Sequence, residues 1–267
     1  MALRLLCILA HPDDESLGIG GVLARYAAEG VETYLATATS GERGWPGAPE
    51  KHPGAEQLAR IREAELRAAA EILGLRGLSL LRLPDGGLAE TPPGAVIDRI
   101  AQAIRQVRPQ VVITFGPDGS TGHPDHIAIS QLTTAAIVCA ADPEYGPHND
   151  WPAHRVAKLY YLAGTQARIA AYEALFGDSA MTVAGVKRSV PGWADWAITT
   201  RINTMEHWSQ VWQAVACHRS QLPNYEALAQ LPKECHRELW GIQEFYRAFS
   251  LVNGERTVEH DLFAGLR

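Results

Sequence analysis

Cysteine is scarce: four residues in 267, and none of Cys7, Cys139, Cys217 and Cys235 forms a CxxC pair. That excludes a disulfide scaffold and a cysteine-built metal knuckle, and a chain of this length buries a full core without either. Reduced thiols and a cytoplasmic location are the expectation. Long apolar runs are also missing. Nothing approaches the roughly 18–20 residues of a membrane span, so no membrane partner is expected. The apolar stretch at 3–10 gives way at once to His11-Pro12-Asp13-Asp14-Glu15, with no small-residue cleavage site of a signal peptide. Positive charge is in deficit, with 24 Lys and Arg against 30 Asp and Glu, a net charge of −6 and no basic cluster. That speaks against a nucleic-acid partner and leaves a small neutral molecule as the natural ligand. Internal repeats, low-complexity tracts and a clear linker are absent too.

What is present is an alternation of apolar runs and helical patterns. Strands are expected at 3–10, 31–39, 78–83 and 111–115, and helices at 16–30, 55–73, 94–107 and 124–141. Gly30 and Gly74 stand as helix caps. Strands that read as almost unbroken apolar runs belong to a parallel sheet covered on both faces. The expected fold is therefore α/β: a Rossmann-like, mostly parallel sheet of order 3-2-1-4-5 with helices on both faces and C-terminal additions. Beyond residue 142 the signal weakens. Strands are read at 156–163 and 197–202, helices at 205–216 and 234–251, and loops at 41–54 and 142–152. One domain over 1–267 is expected, with a core at about 3–163 and an elaboration at about 164–267. Trp208 and Trp212, four apart, read as core or as an oligomer interface, which leaves a homo-oligomer open.

Two clusters carry chemistry. Three carboxylates and an imidazole crowd into His11-Pro12-Asp13-Asp14-Glu15 just past the first strand. Like charges at that density raise each other's pKa, and a bound cation is a common remedy. An acid-rich helix start explains Asp14 and Glu15 but not the His-Pro before them. The second cluster, Gly122-His123-Pro124-Asp125-His126, follows the 111–115 strand, with Pro124 suited to a first helical position. In a 3-2-1-4-5 sheet these two strands are neighbours at the switch point, where ligands bind at the carboxyl ends. Gly18, Gly20 and Gly21 suggest dinucleotide binding, but Leu23 stands where a third glycine is needed, and they begin inside the helix. They are read as close helix–sheet packing.

On Ala10-His11-Pro12-Asp13-Asp14-Glu15 and Gly122-His123-Pro124-Asp125-His126 the chain resembles the LmbE-like (PIG-L) family of zinc-dependent N-deacetylases. Weaker matches are 39–44, 62–65, 85–88 and 218–221, so the resemblance runs from about residue 3 to 221. It implies that His11, Asp14 and His126 are metal ligands and Asp13 the general base. It implies that His123 is the electrostatic catalyst, protonated and oriented by Asp125. Arg62 and Asp85 are implied to contact sugar hydroxyls, with Arg43 and His218 at the substrate rim. Some thiol-cofactor deacetylases carry a Tyr where this chain has Thr121. Either another group completes the oxyanion site or His123 does more of the work. The implied cofactor is Zn2+, with Fe2+ as the alternative ion. The implied reaction removes an N-acetyl group from an N-acetylglucosamine-type sugar or its conjugate by metal-activated water. The alternatives are an amidase for a thiol-cofactor conjugate or a non-sugar amide, and a metal-binding protein without catalysis. Two His and one carboxylate also suit Fe(II) oxygenases, but that chemistry has no use for an adjacent Asp base.

Overall fold

The computed structural model describes residues 2–146, 151–176, 181–183, 185–188, 192–254 and 257–267. Parts of the expected 142–152 loop (147–150) and of the C-terminal tail (255–256) lie outside the described residues.

Five strands, β1 (Arg4–Leu9), β2 (Glu32–Thr39), β3 (Gly77–Leu83), β4 (Val111–Phe115) and β5 (Lys158–Ala163), run parallel in the order β3-β2-β1-β4-β5. Leu5–Leu9 of β1 and the whole of β4 are buried, which is why they read as unbroken apolar runs. The connecting helices are α1 (Asp14–Ala28), α2 (Ala55–Leu73), α3 (Pro93–Val107), the short turn α4 (Gly119–Gly122) and α5 (Pro124–Ala141). Apart from α4, for which no element was expected, these fall within two residues of the sequence expectation. Gly74, at φ 74°, closes α2 in the left-handed conformation that a side chain disfavours. On α2, Leu58, Leu66, Ala69 and Leu73 form the buried stripe, and Arg62 sits within it, four residues from each of the first two.

The C-terminal part adds α6 (Gln166–Phe176), a separate hairpin of β6 (Met181–Val183) and β7 (Val186–Arg188), β8 (Thr200–Asn203), α7 (Trp208–Val215), α8 (Glu226–Ala229), α9 (Lys233–Trp240) and β9 (Ile242–Ser250). The sheet extends beyond β5 as β5-β9-β8, with both new pairings antiparallel. A single helix over 234–251 is therefore a misreading. The helix stops at Trp240, and a Cβ at Gly241 would strike the Arg237 carbonyl oxygen. Phe245, Tyr246 and Phe249 then follow in a segment that bonds to strands on both sides. Aromatic residues favour such a surface, and the open side of β5 overrides the charged helical pattern. Trp208, Trp212 and Trp240 pack with His236 around Val211 and Val215 in a satellite core.

The α1 glycines are close-packing residues, against the loop after β8, a helix and a strand in turn. A Cβ at Gly21 would lie 2.7 Å from Thr204 Cβ, and one at Gly20 would lie 3.3 Å from Val211 Cγ1 of α7. Gly18 alone faces a strand, 3.2 Å from Leu162 Cδ2. Among the described residues no helix is long and apolar enough to cross a membrane. Adjacent β1 and β4 (Cys7 opposite Ile113) deliver the two sequence clusters to one point at the sheet's carboxyl edge.

Candidate active site

β1 ends in a turn that spends its polar groups on itself. Asp14 Oδ2 accepts the backbone N–H groups of His11 (2.7 Å) and Ala10 (3.2 Å). Asp13 stands at φ 106°, a left-handed conformation that costs a non-glycine residue on the order of 1–3 kcal/mol. Three contacts hold it there. Its N–H donates to Glu15 Oε2 (3.0 Å), and Arg62 Nη2 donates both to Pro12 O (2.5 Å) and to Asp13 Oδ2 (3.2 Å).

The loop after β4 brings the histidines. His123 is the N-cap of α5, its Nδ1 accepting the Asp125 N–H at 3.1 Å. That leaves the ring proton on Nε2. His126 pairs its Nδ1 with Gly119 O (3.1 Å), which turns the Nε2 lone pair toward His11. His11 Nδ1 and His126 Nε2 stand 3.2 Å apart, and Asp14 places Oδ1 3.4 Å from His126 Nε2 and Oδ2 3.7 Å from His11 Nδ1. Nitrogens of His11, His123 and His126 all lie within 4.8 Å of one another.

The far side of the His11 ring is equally ordered. Nε2 lies 3.2 Å from Asp85 Oδ1 and 3.3 Å from Asp125 Oδ2. Asp125 is itself clamped by the N–H groups of Gly86 (2.7 Å) and Leu88 (3.1 Å). His11, Asp85 and Asp125 also lie close enough to ligate an ion. A ring that gives its Nδ1 lone pair to a cation keeps a proton on Nε2, however, so two carboxylates there are acceptors that orient the ring. The structure thus puts Asp125's carboxylate on His11, while its backbone N–H serves His123.

Charge follows this geometry. Burial opposes a charge on His11, but hydrogen bonds to Asp125 and Asp85 outweigh it and raise its pKa to about 10. Burial and the His11 charge push His126 down to about 3. His123 falls to about 4 through burial and the proximity of His11 and His126. Burial lifts Asp13 above the ordinary carboxylate range against the pull of Arg62, which strengthens it as a base.

Four residues expected at a substrate surface are placed as follows. Arg62 is 3% exposed and its guanidinium also donates to Gly41 O at 2.9 Å, so it braces the Asp13 turn. Asp85 is buried, with burial outweighed by His11 so that its pKa falls to about 2. Arg43 is exposed beside it, donating its backbone N–H to Asp85 Oδ2 at 2.8 Å. His218 is fully buried and forms an ion pair with Glu15 at 2.7 Å. Burial works against both charges, but each partner overcomes it, lowering Glu15 and raising His218.

Two groups hold places at the site that the sequence does not assign them. Glu15 is fully buried, whereas a helix start rich in acids predicts an exposed one. Tyr225 donates its hydroxyl to Asp13 Oδ2 at 2.9 Å from 212 residues away. Among the described residues nothing bonds to Asp13 Oδ1. Thr121 Oγ1 is buried and without a hydrogen-bond partner, while a phenol, that of Tyr225, bonds Asp13. The donor set of two imidazoles and a carboxylate, with no thiolate, fits a Zn2+- or Fe2+-type ion and leaves coordination positions open. His11, Asp14 and His126 form a candidate metal site on that ground.

The PIG-L family model, described as GlcNAc-PI de-N-acetylase, matches residues 6–137. A 1D-myo-inositol 2-acetamido-2-deoxy-alpha-D-glucopyranoside deacetylase of Thermobispora bispora is 34% identical over 300 residues, covering 98% of each chain. A mycothiol S-conjugate amidase of Streptomyces coelicolor is 32% identical over 292 residues, covering 99% of this chain and 98% of its own. Among solved structures, the conserved protein TT1542 of Thermus thermophilus superposes with a TM-score of 0.66 at 29% identity, over 94% of this chain and 97% of that one. With relatives above 30% identity along nearly its whole length, the chain belongs to the PIG-L (LmbE-like) family.

Proposed function

We propose that the protein is a metal-dependent N-deacetylase that hydrolyses the amide of an N-acetylglucosamine-type sugar or its conjugate. One observation carries the reading: a carboxylate with an unbonded oxygen, Asp13, stands beside a two-histidine, one-carboxylate cluster at the switch point of the sheet. Merely holding an ion needs neither Asp13 nor His123. The relatives' own reactions, removal of acetyl from an amino sugar and cleavage of an amide, point the same way.

When bound, a Zn2+ or Fe2+ ion supplies a water acidic enough to lose a proton near neutrality and a positive charge beside the amide carbonyl. Asp13 takes the water's proton on Oδ1, while Arg62 and Tyr225 hold Oδ2 and so fix the carboxylate's direction. His123 donates from Nε2 to the carbonyl oxygen as that oxygen gains charge. A neutral donor serves here, because hydrogen bonding and not net charge is what its cap geometry fixes. Asp13 then returns the proton to the departing nitrogen, which leaves as an amine. Water is thereby divided: its hydroxyl goes to the acyl carbon and its one other proton passes through Asp13 to the amine. Asp85 and Asp125 keep His11 facing the ion.

The test is a panel of N-acetylglucosaminyl compounds, including the inositol conjugate, with the Zn2+-loaded protein. Equal release of acetate and free amine, stopped by a chelator, is the expected result. A loaded protein that frees no amine from any N-acylated amino sugar refutes the reading.

A further inference from the structure

The hairpin of β6 and β7 turns one arginine inward: Val186 and Lys187 of β7 are exposed, and Arg188 is half-buried. Gly122 makes room for it. A Cβ there would stand 3.3 Å from Arg188 Cβ, 3.9 Å from Cγ and 3.6 Å from Cδ. The arginine stem therefore lies along the backbone one residue before His123. Arg188 Nε is enclosed without a hydrogen-bond partner, and among the described residues no carboxylate or carbonyl pairs with the guanidinium. That sets it apart. Among the described residues, each other arginine that is not exposed is engaged, by a glutamate as Arg201 and Arg247 are, or by backbone carbonyls as Arg62 and Arg168 are. The carboxylates of Asp85 and Asp125 are turned to His11. Beside Arg188 lies a cavity of about 310 Å3, bordered by Leu88, Pro93, Pro124, Ile127 and Leu132, and Arg188 is the charged side chain in its lining. Pro124 stands between His123 and Asp125 in the chain, and the Leu88 N–H clamps Asp125 at 3.1 Å. The cavity wall and the reaction centre thus share one scaffold.

A guanidinium keeps its charge at every physiological pH, and holding it partly out of water without a partner is unfavourable. The compensation has to come from outside the chain. A hydroxyl would accept one hydrogen bond but leave the charge unmatched, whereas a planar donor fork suits a group with two or more oxygens that share a negative charge. An acetyl group carries no charge, so the anion belongs to the amine portion of the substrate. We propose that Arg188 is an oxyanion subsite beside the reaction centre, and that the preferred substrates are N-acetyl amino sugars whose aglycone carries a carboxylate or a phosphate. The subsite presupposes the N-deacetylase reading above and narrows its substrate. Arg188 takes part in no covalent step. It binds the part of the molecule that leaves as the amine, and the cavity gives that part room.

The experiment compares three N-acetylglucosaminyl compounds as substrates of the full-length, Zn2+-loaded protein: the methyl glycoside, the carboxymethyl glycoside and the 1-phosphate. A hydrogen-bonded charge pair is expected to raise kcat/KM by about 10- to 100-fold over the methyl glycoside, chiefly through KM. Which of the two anions gains more identifies the oxyanion, and added salt should shrink the gain. In Arg188→Gln the anionic-to-neutral ratio should fall toward one, and Arg188→Lys should keep part of it. A second arm needs no turnover. Glucosamine 1-phosphate, titrated calorimetrically into the same Zn2+-loaded proteins, should bind the parent at least about tenfold more tightly than Arg188→Gln. An anionic-to-neutral ratio that is the same in the parent and in Arg188→Gln overturns the subsite, since any preference that survives belongs to the metal ion. If no amide is cleaved while glucosamine 1-phosphate binds in an Arg188-dependent way, the subsite stands and the hydrolase reading fails.

Discussion

His11, Asp13 and Asp14 lie within four residues of chain, and His123, Asp125 and His126 within four more. The groups that hold Asp13's turn from the other end of the molecule lie far off: His218 is 203 residues from Glu15, and Tyr225 is 212 from Asp13. The parallel part, β1 to β5 with its helices, supplies the ligand-type side chains from loops at strand ends. The C-terminal part supplies His218, one half of a buried ion pair, and a phenol. The difference teaches a division of labour. The chemistry sits on short contiguous motifs because two loops at a switch point suffice to converge, whereas the bracing must come from whatever the chain later folds over them.

The comparison can be pressed at its joints. The largest expected effect is on stability. His218→Ala leaves Glu15 buried and unpaired and loosens the Asp13 backbone, and breaking such a pair costs about 3–5 kcal/mol. Chemical denaturation should show that loss, with Zn2+ binding retained. A variant as stable as the parent would mean the C-terminal part does not brace the first motif. Tyr225→Phe comes next. A hydrogen bond to a charged group contributes about 1.5–3 kcal/mol, so kcat should fall about 10- to 100-fold while KM and bound metal stay level. An unchanged kcat would detach the C-terminal part from the reaction.

The smallest effect concerns the tail. Glu259 accepts from Lys158 Nζ (2.8 Å), Tyr160 (2.7 Å) and Asn253 (2.6 Å), which ties the tail to β5 at the sheet end away from the site. Burial raises its pKa, but these bonds outweigh it and lower it below 4.5. Its contribution is therefore full above the unfolded value near 4.5 and is lost as pH falls through the folded value. Urea midpoints of parent and Glu259→Gln should differ at about pH 7 and converge as the pH falls through the folded value. A difference independent of pH would show that the carboxylate's charge has no part in holding the tail.

Legibility follows the same divide. The order of the first five strands could be read because alternating apolar runs and capped helices admit few parallel topologies. The two motifs could be read because their residues are adjacent in sequence. Segment 242–250 could not, since its strand state depends on hydrogen bonds from β5 and β8 and not on its own pattern. Arg62 had a signal that passed unread: its place on the Leu58–Leu66 stripe marks it as buried. Asp85 and Asp125 were visible as residues, but their shared target, His11 Nε2, was not, because it depends on the Pro84–Leu88 turn reaching across to α5. Tyr225 had no local signal at all.

The central claim is that His11, Asp14 and His126 hold one catalytic ion and that Asp13 is the base beside it. The direct measurement is bound Zn2+ per chain, together with amine release, in the parent, His126→Ala and Asp13→Asn proteins. The account predicts one ion in the parent, none in His126→Ala, and one in Asp13→Asn with turnover reduced about 100- to 10,000-fold. Full metal binding by His126→Ala, or parental turnover by Asp13→Asn, would contradict it.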